Sequence, residues 1–179
     1  MAIIKGKIIQ KESIMEHNSK SLSTSAQSVQ NVLIKKGLPL KVVELSASTR
    51  TAQDAAQTID CEVAQIVKSL IFCTQNTKQP ILVLASGPNR VDEKIIEQHI
   101  GEKIIKADAD FVREVTGFAI GGIPPIGHKQ HLKTYIDEDL LQYDQVWAAA
   151  GTPNAVFSLP SKELITLTDG KIIHIYIKK

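Results

Sequence analysis

Aromatic residues are scarce, at 4% of 179 positions, so Ile, Val, Leu and Ala must fill any core. Cysteine is nearly absent. Cys61 and Cys73 form no CxxC pair and no histidine cluster accompanies them, so buried free thiols are expected rather than a disulfide or a zinc site. No apolar run approaches the roughly 18 residues of a membrane span. The first twenty residues interrupt their apolar positions with Lys, Gln and Glu, unlike a signal peptide. A cytoplasmic protein is expected. The net charge is only +2, which neither diagnoses a nucleic-acid partner nor excludes one, since a basic patch can hide in a balanced total. Walker, G-x-G-x-x-G, HExxH and GxSxG signatures are all missing.

What is present suits one globular domain, with 43% hydrophobic and 22% charged residues. Residues 1–27 read as an N-terminal extension. The stretch from His17 to Ser28, rich in Ser, Asn, Gln and Thr, has the composition of a flexible linker. IIKGKII before it is a weak strand candidate. The domain spans 28–179. Helices are expected from Ser28 to Gly37, from Thr51 with a Thr51/Asp54 capping pair, from Val91 to His99 with Gly101 as its stop, and from Asp108 to Gly117. Short helices are expected after Asp137 and Ser161. Strands are expected at 40–45, 64–74, 80–86, 103–107, 132–137, 144–151, 155–160 and 171–177, with TQNTKQ as a hairpin loop. Strands and helices mix without strict βαβ alternation. The fold class is therefore α+β: a single domain with a mixed, largely antiparallel central sheet flanked by short helices.

Lys68 stands out. Alternation places it on one strand face with Ile66, Leu70 and Phe72, while Val67, Ser69, Ile71 and Cys73 share the other. Burying an unpaired ammonium is costly. Such a lysine either lines a pocket for an anionic or carbonyl-bearing ligand or guards a sheet edge. GGIPP (121–125) can bring the amides of Gly121, Gly122 and Ile123 to an oxygen, with Pro124 and Pro125 stiffening the turn, or it is a plain rigid turn. AAAGTPN (148–154) leaves room for a ligand or a close helix around Gly151. His128 either reaches a site at the Gly/Pro loop or is an exposed loop histidine. Asp137, Glu138 and Asp139 read as a helix start that favours negative charge.

In order along the chain, TAQDAAQTIDCEVAQIVKSLIF, ILVLASGPNRVDEKIIEQHIG, TGFAIGGIPPIGH and VWAAAGTPNAVFSLPSKEL resemble the YbaK/prolyl-tRNA-synthetase-associated editing domain family. The likeness covers roughly 28–170. It implies an aminoacyl-tRNA deacylase of the free-standing, ProX-like kind, with no metal, no cofactor and no covalent protein nucleophile. The family's essential lysine falls on Lys68, expected to act by positioning and charge stabilisation. Its GxxxP loop falls on Gly121–Pro125. Ser69, Gly121, Gly122, Ile123, Pro124, Pro125, Gly151 and His128 are the residues expected to bind substrate.

One departure matters. The cysteinyl-editing branch carries Ser-Gly-Gly and a later Asp in the late turn, where this chain has Ala149, Ala150, Gly151 and Val156. That turns the expectation from Cys-tRNA(Pro), the alternative substrate, towards alanine or another small amino acid on tRNA(Pro), with prolyl-tRNA synthetase as a possible partner. The competing readings are a non-catalytic tRNA- or synthetase-binding module and a hydrolase of another small ester.

Overall fold

The computed structural model describes residues 21–46 and 51–176. The weak strand candidate IIKGKII and most of the expected extension lie outside the described residues. The end of the extension does not. Helix α1 (Thr24–Lys35) begins at Thr24 rather than Ser28. The Ser23 hydroxyl caps it, accepting from the Ala26 amide at 3.4 Å, while the Ser23 amide and hydroxyl both donate to Glu44 Oε1. Composition that reads as a linker is here cap chemistry. Ala26, Val29 and Leu33 are fully buried, as the i, i+3, i+7 spacing requires.

Local signals place most other elements. Strand β1 (Val42–Glu44) follows. The Thr51 hydroxyl accepts from the Asp54 amide at 3.0 Å and starts α2 (Ala52–Ile59). Strands β2 (Ile66–Thr74) and β3 (Pro80–Ser86) form the expected hairpin. Asp92 and Asp108 cap α3 (Glu93–Ile100) and α4 (Ala109–Thr116), with β4 (Ile104–Lys106) between them. Gly101 and Gly117 close the two helices in left-handed conformations. Then come β5 (Lys133–Asp137), a 3-10 turn at Glu138–Gln142, β6 (Gln145–Ala149), β7 (Ala155–Pro160), α5 (Glu163–Thr168) and β8 (Lys171–Ile173). Three details differ from expectation. Helix α3 starts at Glu93 rather than Val91, because Asp92 is its cap. Lys162, not Ser161, precedes α5, without a side-chain cap. The last strand stops at Ile173 because Ile175 O turns aside to accept from the Asp92 amide.

The eight strands make one mixed sheet in the order β1-β7-β6-β2-β3-β5-β8, with β4 added to the far end of β2. The β2–β3, β2–β4, β6–β7 and β1–β7 pairings are antiparallel; β2–β6, β3–β5 and β5–β8 are parallel. The fold is the expected α+β domain. One sheet face packs Val67 and Ile71 of β2 with α1, α4 and α5 in the main core. On the other face, Ile66 packs with α2 in one small cluster and Phe72 with α3 in another. Lys68 lies between those two clusters. No described helix is long and apolar enough to cross a membrane.

The turn after β6 locks α1 onto the sheet. Gly151 has φ +95°, and a Cβ there would sit 2.7 Å from Ser25 O. Gly101 has φ +82° but open space around the same position. Both Gly→Ala variants should suffer the left-handed strain of about 1 kcal/mol, and Gly151→Ala should lose a further 1–3 kcal/mol, roughly, from the overlap. Urea unfolding of the two variants measures the difference; equal midpoints would show that α1 is not locked here.

Candidate active site

β2 is central, so the edge-guard reading of Lys68 does not describe where it sits. On one side β2 pairs with β3 from Val67 to Cys73. On the other side it pairs with β6 only at Ile66 and Val67, and with β4 only from Phe72 onward. Residues 68–71 face a split in the sheet. The Ala107 amide reaches in to donate to Ile71 O at 3.2 Å. In an antiparallel ladder, alternate residues turn both main-chain groups to the same edge. The amide and carbonyl of Ser69 therefore face the split as those of Ile71 do.

A cavity of about 460 Å3 opens at the split. Its walls are mostly apolar, with Thr51 and Gln53 as polar exceptions at the start of α2. Ala52, Ala55 and Ile59 of α2 form one side, Trp147, Ala148 and Ala149 of β6 another, and Val156 of β7 lies beyond them. Ile120, Gly121 and Ile123 come from the Gly/Pro loop, and Ile120 is 59% exposed at its turn. Lys68 and Ser69 lie between these walls. Among the described residues the lining contains no carboxylate, imidazole or thiol.

The Lys68 ammonium is half-buried and donates to Asn89 O at 2.5 Å. Its pKa is lowered from the usual lysine value, chiefly by burial; nearby Asp137 opposes the shift and Arg90 adds to it. Asn89 is itself anchored. Its side-chain amide donates to Asp137 Oδ2 at 2.8 Å and to Asp139 Oδ2 at 2.9 Å. Asp137 is fully buried and also accepts from the Ser86 amide at 2.9 Å and the Asp139 amide at 3.1 Å. The Tyr176 hydroxyl donates to Asp139 Oδ2 at 2.7 Å, a bond that helps push the phenol up to about 12. Gly87 makes the approach possible, since a Cβ there would fall 2.0 Å from Val63 O. In the sequence Asp137 and Asp139 read only as a helix start, which they are, and nothing there marks Asn89.

The other expected residues divide. Ser69, Gly121 and Ile123 line the cavity with Lys68. The Gly122 amide does not face it, because it closes the turn onto Ala119 O at 3.0 Å. Gly121, at φ +92°, takes the turn position that favours glycine. For the amides of Gly121 and Ile123 the described residues supply no acceptor. Gly122 and Gly151 join the two loops: the Gly151 amide donates to Gly122 O at 2.8 Å, and a Cβ on Gly122 would lie 2.7 Å from Thr152 Cα. Pro124 and Pro125 are buried beside the site and outside its lining. His128 turns away. Its Nε2 pairs with Pro124 O at 2.7 Å, its ring meets Phe118 edge-on, and it borders a separate cleft with Lys36 and Lys129. Burial lowers its pKa, partly offset by the Pro124 bond.

Fold and site together define an α+β domain with a cavity at a split in its sheet, lined in part by one lysine. A sequence profile of the aminoacyl-tRNA editing domain matches residues 46–167, and the chain belongs to that family. A crystal structure of a candidate trans-editing enzyme for prolyl-tRNA synthetase superimposes with a TM-score of 0.84 at 50% identity, covering 88% of this chain and 100% of that one. The uncharacterized protein YwhH of Bacillus subtilis (strain 168) is 34% identical over 131 residues, 73% of this chain and 83% of its own length. EbsC of Enterococcus faecalis (strain ATCC 700802 / V583), a candidate Cys-tRNA(Pro)/Cys-tRNA(Cys) deacylase, is 26% identical over 130 residues, 72% of this chain and 79% of its own.

Ser69 is the other polar side chain placed beside Lys68. Its Oγ is buried with no hydrogen-bond partner among the described residues. An orphaned buried hydroxyl costs about 1–3 kcal/mol. Ser69→Ala should therefore stabilise the free protein by about 1 kcal/mol in urea unfolding; unchanged or lower stability would show that the hydroxyl is satisfied.

Proposed function

We propose that this protein hydrolyses the ester of mischarged tRNA in trans, and that its preferred cargo is a small amino acid such as alanine on tRNA(Pro). The observation that carries the reading is the half-buried Lys68 ammonium, fixed at the sheet split inside an apolar cavity. Family membership and the likeness to a candidate trans-editing enzyme for prolyl-tRNA synthetase support it. Discrimination by one methylene is worth only about 1–3 kcal/mol at a synthetic site, so a second, hydrolytic site has a physical purpose.

Aminoacyl esters are already activated, and the chemistry asks for positioning more than for a nucleophile. Water adds to the acyl carbon. The ester C–O bond breaks, the ribose oxygen leaves with a proton, and the free amino acid is released. Lys68 places a point charge where negative charge gathers on the acyl oxygen or on a terminal ribose or phosphate oxygen. The main chain of Ser69 and the amides of Gly121 and Ile123 orient the carbonyl and α-amino groups. Gly122, Gly151, Pro124 and Pro125 hold that loop in place, and His128 braces it from behind. Neither metal nor cofactor enters this scheme, and the cytoplasm is its compartment.

Ala55, Ala149 and Val156 offer the side chain of the cargo only apolar contact. That favours alanine over cysteine. The likeness to EbsC keeps Cys-tRNA(Pro) as the second reading.

A deacylation panel tests all of this: Ala-, Ser-, Cys-, Thr- and Pro-tRNA(Pro), with Cys-tRNA(Cys). Ala-tRNA(Pro) should be cleared fastest. Lys68→Ala should lose at least about 100-fold in kcat/KM while keeping its circular dichroism spectrum. Faster clearance of Cys-tRNA(Pro) would select the second reading. Binding of tRNA without hydrolysis of any ester would make the protein a binding module.

A further inference from the structure

A buried ammonium can rest in several rotamers along the wall of an apolar cavity. Here a single main-chain acceptor, Asn89 O, takes hold of Lys68. Whether that carbonyl is a fixed point depends on what fixes Asn89. Asn89 lies just beyond the end of β3, in a loop that would otherwise move with its exposed neighbours Pro88 and Arg90. Its side-chain amide has two donors, and both are occupied by carboxylates, Asp137 and Asp139. Those carboxylates are held in turn. Asp137 ends β5, is fully buried, and accepts from two main-chain amides. Asp139 accepts from Tyr176 of the C-terminal segment and from Gln142. Residues far apart in the chain thus converge behind one carbonyl.

We propose that Asn89, clamped by Asp137 and Asp139 and closed by Tyr176, is a positioning residue that sets where the Lys68 ammonium stands in the cavity. The clamp touches no substrate and acts through Lys68 alone. It rests on the reading of the cavity as a deacylase site for its effect on rate, but not for its effect on Lys68.

The charges bearing on Lys68 are Asp137, from the end of β5, and Arg90, from the loop after β3. Asp139 and Tyr176 bear on it through Asn89. Glu138 and His174 form an exposed pair with each other at 2.6 Å, on the same turn and C-terminal segment. Removing the Asp137 charge takes away the group that favours protonated Lys68, so its titration midpoint falls to lower pH.

The test has two readouts on the full chain. The first is the pH titration of the Lys68 13Cε resonance, assigned with Lys68→Ala, in wild type, Asn89→Ala, Asp137→Asn and Tyr176→Phe. The second is kcat and KM for the ester that wild type clears best. Tyr176→Phe removes one hydroxyl and leaves its ring packed on His174, so it serves if the buried Asp137 variant fails to fold. The clamp predicts a displaced Lys68 midpoint in all three variants, downward in Asp137→Asn. It also predicts a fall in kcat of about tenfold in Asn89→Ala, with KM within about twofold and the alkaline limb of the rate moved with the midpoint. If Asn89→Ala and Tyr176→Phe keep the wild-type midpoint, the clamp is overturned, whatever their stability. If the midpoints move but wild type hydrolyses no ester, the clamp stands and the deacylase reading fails.

Discussion

Strand β2 is paired along one edge and divided along the other. Main-chain groups inside a sheet need partners, and at residues 68–71 β6 has already left while β4 has not yet joined. The sheet tolerates this because β3 pairs with β2 along the whole stretch from Val67 to Cys73 and Ala107 supplies one missing donor. What remains is a short edge in the middle of a sheet. It faces a cavity, with a charged side chain on one face of the strand and, at the next residue, a buried hydroxyl that has no partner among the described residues. Remove the split, and neither the cavity nor the exposed main chain of Ser69 would exist.

The walls of that cavity are held by close backbone approaches rather than by large side chains. Gly122 lies against Thr152, Gly151 against Ser25, and Gly87 against Val63. Each contact joins a loop of the site to a different part of the fold, and a methyl group would prevent any of them. The Gly/Pro loop, the turn after β6 and α1 therefore behave as one packed unit. Donors fixed before the ligand arrives need not be reorganised when charge develops.

Much of this could be read from sequence where the determining contact is local. The caps at Thr51, Asp92 and Asp108 satisfy amides two or three residues away; the helices after Thr51 and Asp108 start where expected, and the one after Asp92 starts two residues later than expected. Lys68 was visible because strand alternation places an ammonium among apolar neighbours. The start of α1 was misplaced because serines and threonines look alike in a linker and a cap. The difference lies in Glu44, 21 positions on, which accepts from Ser23. Asn89 was invisible for the same reason at greater range, since its carboxylate partners lie 48 and 50 positions away. The aim of His128 towards Pro124 O, behind the loop rather than into the cavity, depends on how the turn closes, which spacing does not encode.

An ammonium carries three donors, and at Lys68 the described residues supply one acceptor, Asn89 O. The other two donors have no acceptor among the described residues. A guanidinium would present a rigid planar fork made for two oxygens of one carboxylate or phosphate. An ammonium has no such plane, and its free donors can meet oxygens of different groups, such as an acyl oxygen and a ribose oxygen. That arrangement suits an ester, whose reacting oxygens belong to two joined fragments. Burial works against the charge and Asp137 works for it. Half-burial among mostly apolar walls strengthens each remaining donor relative to one in bulk water. The same walls set a limit: burial favours loss of the Lys68 proton, and the carbonyl of Asn89 and the charge of Asp137 work against that loss.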